Sequence, residues 1–176
     1  RQDNRHPSIW RQLIPETETP MTSNGSYVLW GSPHSYYTGK IRSYLIKKGV
    51  RYREEFTFHP QFQARILPAV RHFVVPILET PDGRILQDTT DMIEHIEAAM
   101  PLPLMIPETP VQKAVAWLLG AFGSEALLPP GMHYRWSYRA EQENFLCAEF
   151  GRLLQGGPDR EARYATARKT MQYFND

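Results

Sequence analysis

Tyr27–Lys48, YVLWGSPHSYYTGKIRSYLIKK, is the stretch on which the fold of this chain turns. Tyr27 to Trp30 are strand formers, and Gly31-Ser32-Pro33 breaks the run. From Tyr37, the residues Ile41, Tyr44 and Leu45 recur at helical spacing. Gly49 supplies a left-handed stop, and Val50 is expected to fold back on Ile46. Ser35 falls at the N-cap, so its hydroxyl sits among unpaired N–H groups at the positive end of a helix. That place favours an anion such as a thiolate, phosphate or carboxylate. Ser is also a preferred cap with no ligand nearby, and from this stretch alone both readings stand.

A second stretch adds to the first. Val74-Val75-Pro76-Ile77-Leu78 is an apolar run with a proline inside it. Proline cannot donate to a ladder, and a cis Val75–Pro76 bond at the strand start is one solution. Pro81-Asp82-Gly83 reads as a hairpin turn, with Arg84-Ile85-Leu86 as the returning strand. Thr89 is the expected N-cap of a helix carrying Met92, Ile93 and Ile96. Tyr52 to Phe56 fits a parallel strand after the first helix, which gives the order βαβ, then ββα.

Over Tyr27 to Ala99 this pattern resembles the N-terminal thioredoxin-like domain of glutathione transferases. The resemblance implies a mixed four-stranded α/β domain followed by an all-α C-terminal domain. It implies that Ser35 stands beside the sulfur of glutathione, five positions before the basic residue of Lys40-Ile41-Arg42. Tyr36 and Tyr37 are the second choices for that donor. It implies that the Val75-Pro76 backbone pairs with the cysteinyl backbone of glutathione, and that Asp88-Thr89 holds the γ-glutamyl end. Asp88 departs from the family's Glu or Gln by being shorter. Arg65, Arg71 and His72 lie where the fold flanks the glycine carboxylate. Glutathione is then the co-substrate, a small electrophile its partner in the reaction, and a homodimer the family's assembly. The alternative from the same resemblance is a non-catalytic binding or scaffold module. A glutaredoxin-type oxidoreductase needs a Cys near the first helix, and residues 31–40 contain none.

The chain has 176 residues and a formal charge of +1, so no strong field draws nucleic acid or an anionic membrane. With a single Cys, Cys147, it has no internal disulfide framework. Cys147 sits on an apolar helix face and is expected to be a buried, inert hydrophobe. No run of 18 apolar residues occurs, and a cytoplasmic protein is the expectation. The six histidines show no metal-binding spacing, so no metal is expected.

Residues 1–25 hold three prolines and no period, and read as a disordered extension. Residues 26–100 form the expected glutathione-binding domain. Within it, 57–73 reads as an irregular arm with a short helix at Gln61 to Ile66. Met100 to Pro110 carries four prolines in eleven residues and marks the boundary. Residues 101–176 form the expected helical domain. A helix from Val111 to Leu128 would turn Val115, Leu118, Leu119 and Phe122 inward and end at Pro129-Pro130-Gly131. Further helices follow at Ala140 to Leu154 and Arg160 to Phe174. The resemblance implies more helices than these, so this domain is expected to be incomplete and to expose an apolar patch between Val111 and Phe174. Met132 to Tyr138 reads as an inter-helix loop, from which His133, Tyr134 and Trp136 are candidates to line the acceptor pocket.

Overall fold

The structure, a computed structural model, describes residues 25–70, 72–153 and 159–173. The expected extension therefore lies outside the described residues, apart from Gly25. So does Arg71. Four strands form one mixed sheet: β1 (Tyr27–Gly31), β2 (Tyr52–Phe56), β3 (Ile77–Glu79) and β4 (Ile85–Leu86), in the order β2-β1-β3-β4. β1 pairs parallel with β2 and antiparallel with β3, and β3 pairs antiparallel with β4. The parallel pair needs a crossover, which α1 (Tyr36–Lys48) supplies.

Central β1 must bury both faces, and its residues alternate between two cores. Leu29 packs with Ile41, Leu45 and Val50 beyond α1, and with Met92 and Ile96 of α2 (Thr89–Ala99). Val28 and Trp30 face the other way, onto Phe62, Ile66 and Ile77. The arm after β2 is thus a core element. A wide helical turn at Phe62–Ile66 and a 3-10 turn at Leu67–Ala69 close the second face of the sheet. Trp30 Nε1 donates to Glu79 at 3.2 Å, and Arg65 forks onto the same carboxylate at 2.6 and 3.0 Å.

α1 is capped as its sequence dictates. Thr38 N donates to Ser35 Oγ at 3.2 Å, and Gly49 adopts φ 75° at the other end. Val50 does not fold onto Ile46. Its amide bonds Leu45 O at 2.9 Å and its side chain joins Leu45 and Ile41, while Ile46 points to solvent. At α2 the cap is Asp88, whose Oδ1 accepts from Thr90 N at 2.6 Å. Thr89, expected to cap, is the first helical residue and is buried. A carboxylate one residue earlier reaches the orphan N–H groups equally well, and its charge also suits the helix dipole.

Beyond the proline-rich connection stand α3 (Pro110–Ala121), a wide turn at Phe122–Ala126, α4 (Leu128–Trp136), α5 (Arg139–Leu153) and α6 (Arg160–Tyr173). Pro129 and Pro130 do not end a helix; they open α4, in the first turn, where a missing N–H costs nothing. Met132–Trp136 is consequently helix and not loop. α5 and α6 cross so closely that a Cβ on Gly151 would lie 2.5 Å from Arg163 O. Trp136, Leu146, Cys147 and Ala167 form the core of this part. Val115, Leu118, Leu119 and Phe122 face outward, contrary to the inward reading, with Leu118 70% and Leu119 65% exposed. Periodicity locates an apolar face but not the surface that covers it.

Candidate functional site

The ladder brings three segments to one end of the sheet. Trp30 stands opposite Ile77, and Leu78 opposite Leu86. Continuing both registers outward sets Pro76 between Gly31 on one side and Asp88 on the other. The Val75–Pro76 bond is cis, and Pro76 is buried. The strand begins only at Ile77, so the proline is spared a place in the ladder. Gln87 Nε2 holds the preceding segment by donating to His72 O at 2.6 Å and Val74 O at 3.3 Å. Hence the N-termini of α1 and α2, each capped by a short polar side chain, flank Pro76 at the same edge.

Ser35 is half-buried at the start of α1. Its Oγ accepts from Thr38 N, which leaves the hydroxyl proton to donate elsewhere. Tyr36 and Tyr37 differ. Tyr36 OH donates to Gly123 O, and Tyr37 OH donates to Ser124 O at 2.9 Å. Both phenols are thus spent on the wide turn before α4. Burial, followed by nearby Glu125, also pushes the Tyr37 phenol up. Beneath them, Lys40 Nζ donates to Thr89 Oγ1 and Ser124 Oγ, each at 3.0 Å. Burial lowers the Lys40 pKa, and Asp88 and Glu125 oppose that shift. A cleft of about 410 Å³ opens beside Lys40, walled by Ile93, Ile106 and Trp117.

The remaining sequence candidates are scattered. His72 is exposed and offers its carbonyl to Gln87. Arg65 forks onto Glu79 with two of its N–H donors, and its side chain stays half-exposed. Trp136 is buried in the helical core against Phe150, not in a pocket. His133 and Tyr134 are exposed on α4 and pack with Tyr138. Arg135, between them, is the residue that reaches the turn before Ser35, by donating to His34 O. Nothing in its sequence neighbourhood marks it, because the contact spans 101 positions.

Residues 29–104 match the family model of the glutathione S-transferase N-terminal domain. No curated protein matches this chain in sequence. Among solved structures, a glutathione S-transferase from Rhodospirillum rubrum F11 is 17% identical over 84% of this chain and 62% of that one, with TM-score 0.51. Glutathione transferase Omega 3C from Trametes versicolor is 22% identical over 75% and 60%, with TM-score 0.53. Omega 1C from the same fungus is 13% identical over 85% and 60%, with TM-score 0.52. At these identities the likeness is one of fold, and the chain spans about three fifths of each of these structures. The sheet, its two flanking helices and the matched residues agree: residues 29–104 are similar to the N-terminal domain of glutathione S-transferases, and the fold is a thioredoxin-like domain followed by helices.

Proposed function

We propose that this protein binds glutathione at the edge shared by Ser35, Pro76 and Asp88, and that Ser35 stabilises the thiolate for attack on a small electrophile. The observation that carries the reading is the meeting of two helix N-termini with the Val75–Pro76 backbone at one end of the sheet. A tripeptide with two carboxylates and a thiolate suits such an edge, since helix N-termini favour negative charge. Val75 offers backbone to the cysteinyl unit. Asp88 takes the γ-glutamyl ammonium with the carboxylate oxygen that Thr90 leaves free. Thr89 contributes its backbone amide and its hydroxyl proton, since its Oγ1 accepts from Lys40 and leaves that proton free to donate. Arg71 and His72 are the groups proposed near the glycine end.

The energetics are adequate. A thiol titrates near ~8.5 when free, and a downward shift of about two units needs roughly 2.7 kcal/mol. A hydroxyl donor to an anion and one helix terminus each contribute on the order of 1–2 kcal/mol. Ser35 would donate and not itself attack. Its competitors Tyr36 and Tyr37 have acceptors already. A cytoplasmic homodimer is the assembly that goes with this reading. The alternative reading is a module that holds glutathione without activating it. The two separate in the ultraviolet thiolate band of the bound tripeptide. The transferase reading expects that band near neutral pH, and the binding module expects affinity without it.

A further inference from the structure

The turn before Ser35 is held from within by α1, where Arg42 Nη2 donates to Ser32 O at 3.4 Å, and also from outside its own domain. His34 N donates to Ser32 Oγ at 3.3 Å, within the turn. Among the described residues, the other bonds of His34 reach the helical part. Its carbonyl accepts from Arg135 Nη2 on α4. Its ring Nε2 lies 2.8 Å from Glu149 Oε2 on α5, and the ring meets Phe145 edge-on at 5.2 Å. These partners lie 101 and 115 positions away in sequence. Arg135 pairs with no carboxylate among the described residues, and it is half-buried. A guanidinium taken from water, set over the Trp136 ring at 6.0 Å and bonded to this carbonyl fixes it firmly, since charge-assisted bonds are the strong and short ones. The carbonyl it fixes belongs to the peptide that ends at Ser35 N, and that amide in turn donates to Ser32 O at 3.1 Å.

We infer that Arg135 and Glu149 are positioning residues for Ser35, acting through His34, so that α4 and α5 set the direction of the hydroxyl at the head of α1. This rests on the reading of Ser35 as the thiol-facing donor, but its geometric half can be measured without glutathione. Losing either partner frees the 34–35 peptide to rotate and leaves the body of α1 pinned by Ile41 and Leu45.

The test is amide hydrogen exchange on the full chain without ligand, followed by thiolate titration with glutathione. Arg135→Ala and Glu149→Ala should each speed exchange at Ser35 and Thr38 about tenfold, a factor equivalent to 1.4 kcal/mol. Ile41 and Leu45 should be unmoved. Glu149→Gln, which keeps an oxygen for the imidazole, should stay within about threefold of wild type. Arg168→Ala, which breaks the 2.8 Å pair with Glu143 between α6 and α5, should leave the turn unchanged. With glutathione bound, Arg135→Ala should move the thiolate midpoint up by about one pH unit while affinity changes less. Exchange at Ser35 and Thr38 that matches wild type in both Ala variants overturns the inference. So does a rise shared equally by Ile41 and Leu45, which means general loosening. If the turn responds but wild type shows no thiolate band, the positioning stands and the reading of Ser35 as thiolate donor falls.

Discussion

Gly31→Ala probes the junction on which the site is built. A Cβ at Gly31 would lie 2.5 Å from Thr38 Cγ2, 2.7 Å from Thr38 Oγ1 and 3.2 Å from Thr38 Cβ. Thr38 is fully buried in the first turn of α1, so it cannot swing into solvent. Roughly 1 Å of overlap must be opened by lifting the head of α1 from β1. Overpacking of this kind costs about 1–3 kcal/mol, and the buried setting points to the upper half. Thr38→Ala removes the two nearest atoms and leaves only the 3.2 Å contact. By itself it loses a methyl group and a weak 3.5 Å bond from Ser32 N, on the order of 1–2 kcal/mol. In that background Gly31→Ala should cost less than about 1 kcal/mol, so the pair should couple by about 1–2 kcal/mol. Urea unfolding of the four chains by circular dichroism measures the cycle. A Gly31→Ala chain within about 0.5 kcal/mol of wild type, or an undiminished cost in the Thr38→Ala background, refutes the packing argument.

Other outcomes follow from the same structure. Leu119→Glu, on the exposed face of α3, should change stability by less than about 0.5 kcal/mol, whereas Leu146→Ala in the helical core should cost about 2–5 kcal/mol; equal costs in urea melts mean that the α3 face is covered. Burial disfavours the Glu79 carboxylate, but the bonds from Arg65 and Trp30 outweigh it and hold its pKa below the usual range. A group depressed on folding stabilises above its unfolded pKa, near ~4.3, and loses that contribution as pH falls through the folded value. The stability advantage of wild type over Glu79→Gln should therefore shrink from about pH 6 to pH 3, and a constant gap across that range contradicts the network.

Much of the sheet domain is legible in the chain because its signals are local. Ser35 and Gly49 bracket α1 by their own conformational chemistry, and Pro81-Asp82-Gly83 closes its hairpin through Thr80 and Arg84, with Gly83 at φ 84°. Asp88 and Thr89 exchange roles because two adjacent residues can each cap, and only the placement of Lys40 draws the Thr89 hydroxyl inward. The arm hides its function for a different reason. Phe62 and Ile66 are four apart, a helical signal, yet their partner Trp30 is supplied by the first strand, on the far side of α1 and β2 in the chain. In the helical part, Pro129-Pro130 can end one helix or open the next, and local sequence does not choose between them. The long-range bonds of His34 to Arg135 and Glu149 leave no periodic trace at all.

The central claim is that the Ser35 hydroxyl faces a thiolate. Its most direct test is a pH titration of the ultraviolet thiolate band of bound glutathione, in wild type and in Ser35→Ala. Wild type should show a midpoint about two units below the free-thiol value of ~8.5. Ser35→Ala should return about one unit or more of that shift and slow conjugation of a small electrophile about tenfold to a thousandfold, with a much smaller loss of glutathione affinity. Coincident titration curves and equal turnover would reduce Ser35 to a helix cap and contradict the account.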